Sequence, residues 1–294
     1  MLNHKAELLF DTRSVLGEGP VWDWRRQQLF CVDIEGKKLH RFKSITQKHT
    51  DWNLNTMVGA AVPGASGNLI LAAESGLIKF DVETGESTAL GVLQNSDSEM
   101  RYNDGKVGPD GNFWIGSMHK EAKPDTGNLY CVDHRLKTHV KIPNTTISNG
   151  MAWSSDSKTF YFIDTPTRSV FAYDFNLETS SISHKRVIID VPKDHGSPDG
   201  MCIDSEGMLW IAHWGGNCVR RWHPATGEVL AQIEVDAPHV TSCCFGGEAL
   251  DTLYITSARS GLSQSELQKF PASGGLFVYR PGVKGTPIHY FKDQ

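Results

Sequence analysis

The chain has 294 residues, 39% hydrophobic and 21% charged, with 28 Gly, 13 Pro and 8 Trp; this excludes a small disulfide scaffold and a disordered or fibrous chain. The net charge of −5 leaves no basic excess to neutralise phosphates, so nucleic acid is not an expected partner. No apolar run reaches a membrane span and the first seven residues lack the apolar core of a signal peptide, so no membrane partner and a cytoplasmic location are expected.

In chain order, Glu7-Leu8-Leu9-Phe10 is a short apolar strand ahead of a repeat. Aromatic or β-branched strands then start at Leu29, Leu69, Phe113, Phe160, Leu209 and Leu253, at intervals of 40, 44, 47, 49 and 44 residues. Gly/Asp/Ser-rich turns precede four of them, such as Ala65-Ser66-Gly67-Asn68 and Asp204-Ser205-Glu206-Gly207. A second alternating strand follows in most units, over 76–81, 127–132, 169–174, 217–222 and 275–279. Strand, turn, strand at about 45 residues, six times over and without a convincing 3.6-residue period, predicts an all-β chain. We expect one six-bladed β-propeller domain over residues 1–294. Its ring must close, and Glu7–Phe10 and Pro287-Ile288-His289-Tyr290-Phe291 are the candidates to pair into the last blade. The Trp-Asp dipeptide of WD40 blades does not recur.

The six cysteines sit mostly in apolar strand-like runs and form no Cys-x-x-Cys pair. They read as buried, reduced side chains, and a thiolate zinc site has little support. The adjacent Cys243-Cys244 pair is the one redox candidate.

Four stretches do not read as structural: Leu16-Gly17-Glu18-Gly19-Pro20-Val21-Trp22, Arg101-Tyr102-Asn103-Asp104-Gly105-Lys106, Ile147-Ser148-Asn149-Gly150-Met151 and Ser197-Pro198-Asp199-Gly200-Met201. Glu18 lies 11 residues before Leu29, Asn103 10 before Phe113, Asn149 11 before Phe160 and Asp199 10 before Leu209. Asn-Gly or Asp-Gly alone makes a turn. Four at one phase put four oxygen-bearing side chains at equivalent places facing a propeller axis, which suits a hard divalent cation.

These motifs resemble the senescence-marker protein (regucalcin), gluconolactonase and luciferin-regenerating-enzyme family. The likeness runs nearly the whole length, to Gly246-Gly247 and Thr252-Leu253-Tyr254-Ile255-Thr256; Pro238–Phe245 is similar to bacterial sugar lactonases. The resemblance implies a six-bladed propeller with one divalent metal in its funnel and hydrolysis of sugar lactones. It implies Glu18, Asn149 and Asp199 as the metal ligands and Arg101, Asn103 and Glu121 as substrate contacts.

On that footing the expected activity is a lactonase, with Asp199 also the catalytic base, opening an aldono-1,4- or 1,5-lactone to its acid in carbohydrate catabolism. Oxygen ligands of this kind admit Ca²⁺, Zn²⁺, Mn²⁺, Mg²⁺ or Fe²⁺. The expected partner is the small lactone, and a closed ring with few free edges is compatible with a monomer. The alternatives are an esterase or phosphotriesterase-like propeller and a non-catalytic calcium-binding one. Gly-x-Ser-x-Gly, His-Glu-x-x-His, Walker A and Gly-x-Gly-x-x-Gly motifs are absent. His119, His213 and His239 are candidates to line the funnel, His213 foremost, and Trp214 beside Gly215-Gly216 is a candidate stacking face.

Overall fold

The computed structural model describes residues 4–94 and 97–293. Six antiparallel blades follow one another along the chain. Blade 1 comprises Gly17–Asp23, Gln28–Asp33, Lys38–Lys43 and Lys48–Asn53, and blade 2 Val58–Pro63, Leu69–Ala73, Gly76–Phe80 and Ser87–Ala89. Blade 3 comprises Met100–Val107, Phe113–His119, Gly127–Val132 and Thr138–Thr145, and blade 4 Ser148–Trp153, Thr159–Asp164, Ser169–Asn176 and Ser181–Asp190. Blade 5 comprises Ser197–Ile203, Leu209–Trp214, Cys218–Trp222 and Val229–Glu234. Blade 6 holds His239–Gly246, Thr252–Ala258 and Leu276–Tyr279. The first strands of successive blades pack on one another all the way round, sixth against first, so they line a central axis. This is the propeller that the 45-residue spacing predicts: strands too short to bury both faces alone stack blade on blade. One α-helix is present among the described residues, Gln264–Lys269, started by a Ser263/Glu266 capping box.

The ring closes through the N-terminal candidate. Glu7–Phe10 pairs antiparallel with Leu276–Tyr279 and supplies the fourth strand of blade 6. His4–Lys5 pairs parallel with Val229–Glu234, so the two last blades share one N-terminal segment.

The C-terminal candidate does something else. Residues 287–291 add no strand to the last blade; they form a strap across the end of the ring away from the strand starts, with one parallel bridge between Phe291 and Gly64 at the end of blade 2. Gly285 N–H donates to Leu250 O (2.8 Å), Phe291 N–H to Pro63 O (3.0 Å) and Lys292 N–H to Gly111 O (3.2 Å). The strap thus ties blade 6 to blades 2 and 3. Its anchor, Phe291, is fully buried and packs edge-on to Phe113. Leu276–Tyr279 is already paired to Glu7–Phe10, so the strap finds no free edge in blade 6. Thr286–His289 close the lower end of an axial cavity of about 100 Å³, walled by Lys106, Trp153, Cys202 and Cys244. Phe291→Ala removes a fully enclosed ring and should cost about 3–5 kcal/mol. Chemical denaturation would check this; an unchanged midpoint would mean the strap is dispensable.

All six cysteines are unbridged and buried. Burial pushes the Cys243 and Cys244 thiols up, and Cys243 Sγ lies 3.6 Å from Cys202 Sγ.

Candidate metal and substrate site

The first strand of each blade carries a register shift at the same place: Glu18/Val21, Val58/Ala61, Tyr102/Gly105, Ser148/Met151, Pro198/Met201 and Val240/Ser242. A bulge breaks the two-residue alternation and re-aims the side chain beside it. Gly59, Asn103, Asn149, Asp199 and Thr241 fall inside the shift of their own blades, and Glu18 is the last paired residue before the shift of blade 1. The Asn-Gly and Asp-Gly steps are accordingly strand bulges rather than turns. Their glycines serve close approach: a Cβ on Gly150 would lie 2.6 Å from Asp199 O, and one on Gly59 2.5 Å from Asn103 O.

The strand entries are aimed by acids at the ends of the second strands. Asp33 accepts from Val15 N–H (2.8 Å) and Leu16 N–H (2.9 Å), just ahead of Glu18. Asp164 accepts from Ile147 N–H (2.8 Å), just ahead of Asn149, and Glu74 from Met57 N–H (3.1 Å) in blade 2. A carboxylate that satisfies these amides holds the entries of these three first strands in one conformation.

Glu18, Asn103, Asn149 and Asp199 are all 5% exposed or less. Asn149 Nδ2 donates to Asp199 Oδ1 and, at 3.1 Å, to Thr165 Oγ1, which in turn donates to Pro198 O at 2.9 Å. Arg101 is buried, and its Nη1 donates to Asn103 Oδ1 (2.6 Å) and Tyr102 O (3.0 Å). Asn103 Nδ2 donates to Ser148 O at 3.0 Å, one residue from Asn149. The structure thus gathers Glu18, Arg101, Asn103, Asn149 and Asp199 at one level of the axis. Glu121 stands apart on the loop after the second strand of blade 3, its side chain 72% exposed and 3.6 Å from Lys123.

The electrostatics are those of carboxylates crowded out of water. Burial, then Asp199 and Asp104, push the Glu18 carboxyl well above its usual range. Burial and then Asp104 do the same to Asp199, while Asn149 and Gly200 pull it back through hydrogen bonds and Arg101 through its charge. Burial lowers the Arg101 value against the pull of Glu18 and Asp199. Asn149 Oδ1 is buried and accepts no hydrogen bond. An orphaned amide oxygen beside two mutually repelling carboxylates fits a hard cation: it would occupy the lone acceptor and offset the charge. No group of three His, Cys, Asp or Glu side chains able to hold an ion occurs among the described residues; the set here is two carboxylates and an amide.

Asp104 and Thr165 escape a reading of the sequence as ligand spacing. Asp104 follows Asn103 directly, and strict alternation would point it away from the axis; the bulge beside it cancels that rule. Thr165 lies in a 3₁₀ turn, Thr165–Thr167, with no sequence signal of a contact to Asn149. His213, the foremost histidine candidate, is fully buried within blade 5, its Nε2 accepting from Trp222 Nε1 at 3.3 Å, and does not reach the funnel. The large apolar neighbour at that position, Trp222, takes the ring into the blade core.

Residues 16–259 match the family model described as the SMP-30/Gluconolactonase/LRE-like region. This chain belongs to that family. The regucalcin of Danio rerio is 38% identical over 296 residues, covering 99% of each chain. The structure superposes on luciferin-regenerating enzyme with a TM-score of 0.91 at 32% identity, over 99% of this chain and 100% of that one. It superposes on a regucalcin of Agrobacterium tumefaciens, described as a calcium-binding protein, with a TM-score of 0.90 at 27% identity, over 98% of both. Among the described residues no helix is long and apolar enough to cross a membrane.

Proposed function

We propose that this SMP-30/gluconolactonase-family propeller is a divalent-metal-dependent lactonase that opens a sugar lactone to its aldonic acid. The observation that carries the reading is the unpartnered Asn149 Oδ1 set beside buried Asp199, with the Glu18 carboxylate repelled by Asp199 and Arg101–Asn103 alongside. Family membership with gluconolactonases supports the reaction class. The calcium-binding description of the Agrobacterium relative supports a divalent ion.

Glu18, Asn149 and Asp199 would hold the ion. When bound, a divalent ion supplies Lewis-acid polarisation of a carbonyl and stabilises charge on its oxygen. Asp199 would accept a proton from the attacking water as general base. Arg101 stays cationic at neutral pH and presents its guanidinium fork to sugar hydroxyls or to the carboxylate that forms. Asn103, already oriented by Arg101 and Ser148 O, both donates and accepts, as a polyhydroxylated ring requires. Glu121, exposed on the loop after the second strand of blade 3, is the outermost candidate contact.

The test is acid release from a panel of aldono-1,4- and 1,5-lactones by metal-stripped protein, re-supplied with Ca²⁺, Zn²⁺, Mn²⁺, Mg²⁺ or Fe²⁺ singly. One ion should restore turnover strongly and name the cofactor. Tight binding of Ca²⁺ with no turnover on any lactone would overturn the enzyme and leave a calcium-binding propeller. Turnover confined to simple esters or phosphotriesters would overturn the sugar-lactone assignment.

A further inference from the structure

Trp214 ends the second strand of blade 5 and is not part of the ligand set. Its backbone pairs on one side with Ser197 and on the other with His239, the single pairing that joins blades 5 and 6. Ser197 is two residues before Asp199. Trp214 also packs against the core cluster that contains Leu16, two residues before Glu18, and Ala258. It therefore stands over the entries of the two strands that carry the carboxylates, at the same end of the axis.

The ring is held flat. The Trp214 and His239 rings stack with centroids 3.9 Å apart and planes at 14°. His239 is fixed in turn through Nδ1 to Ser260 O at 2.9 Å. Both side chains are half-buried, whereas Trp22, Trp114 and Trp210 are fully enclosed. Among the described residues the Trp214 indole N–H donates to nothing in the protein, so a partly exposed aromatic carries a free donor.

We propose that Trp214, braced by His239, is the ring-facing wall of the substrate site, selecting a cyclic polyhydroxylated ligand over an open-chain one. The inference rests on the lactone reading and deepens it. The polar floor of Glu18, Arg101, Asn103, Asn149 and Asp199 deals with oxygen atoms only. A sugar lactone also has a flat face of C–H bonds, which an aromatic ring covers while its N–H serves a hydroxyl at the edge. The aldonate product has lost that face on ring opening, so the same wall holds substrate and lets product go.

Calorimetric binding of a hydrolytically inert sugar lactam and of the open-chain aldonate, to wild type, Trp214→Ala, Trp214→Phe and His239→Ala, tests this. Trp214→Ala should weaken the lactam about tenfold and Trp214→Phe by less than about threefold, since a flat ring remains; aldonate affinity should barely move. His239→Ala, which keeps the indole but removes its brace, should cost the lactam about threefold. In turnover the Trp214→Ala loss should fall on KM. Unchanged lactam binding in Trp214→Ala, or equal losses for lactam and aldonate, would overturn the wall while leaving lactone hydrolysis by the wild type standing. A wild type that neither hydrolyses lactones nor binds the lactam would overturn the lactonase reading and the wall together.

Discussion

Asp199→Asn should lower kcat for lactone hydrolysis by about 10³-fold while leaving the fold intact. The substitution is isosteric, so the hydrogen-bonded neighbourhood of Asn149 and Thr165 has no volume change to absorb. What goes is one negative charge and the proton acceptor. In metal-free protein, Asp199 shares a buried space with Glu18 and Asp104: Asp199 and Asp104 raise the Glu18 carboxyl, and Asp104 raises that of Asp199. Removing one charge from such a set relieves it. The metal-free variant should therefore unfold at a higher denaturant concentration than metal-free wild type. Added metal, which binds only the folded wild-type site, stabilises that protein by about 2.7 kcal/mol at a hundred times its Kd; this gain should be largely lost in the variant. Wild-type turnover in Asp199→Asn would refute its role as base, and an undiminished metal-induced stabilisation would refute its role as ligand.

Gly150→Ala should weaken metal binding at least tenfold and lower kcat/KM by about 10², although the residue touches neither ion nor substrate. A Cβ there would meet Asp199 O at 2.6 Å, Ile163 Cδ1 at 2.9 Å and Met201 Cγ at 3.0 Å. None of the three contacts can give way freely: the first is backbone of a paired strand and the others are buried core. The first strands of blades 4 and 5 must separate, carrying Asn149 and Asp199 with them. Overpacking of this kind costs about 1–3 kcal/mol, and displacing a catalytic group by about 1 Å costs about 10² in rate. Metal titration by calorimetry, with circular dichroism to confirm folding, checks it. A variant that folds, binds metal and turns over like wild type would show that the inter-strand spacing is not what sets the ligand geometry.

The blade strands were legible in the sequence because each is short, apolar and preceded by turn residues, and because the interval near 45 residues repeats six times. Phe30-Cys31-Val32-Asp33 and Phe160-Tyr161-Phe162-Ile163-Asp164 show the limit of that reading. Their strand character is plain, yet the role of the terminal aspartates, bonded to the amides leading into Glu18 and Asn149, depends on which strand lies alongside. Ring closure was half legible. Glu7–Phe10 and the run 287–291 carry similar apolar patterns, and only the free edge of Leu276–Tyr279 decided between them; the other became the strap anchored by Phe291.

By itself, the sequence determined the repeat, the candidate set Glu18, Arg101, Asn103, Glu121, Asn149 and Asp199, and the family, because period, phase and motif are one-dimensional properties. The tertiary structure decided the rest. It turned Asn-Gly and Asp-Gly from turns into bulges, drew Asp104 into the field of the carboxylates, left Glu121 at the rim and set Trp214 on His239. Each outcome depends on a neighbour from another blade, remote in sequence, and on local breaks in strand alternation; spacing along the chain encodes neither.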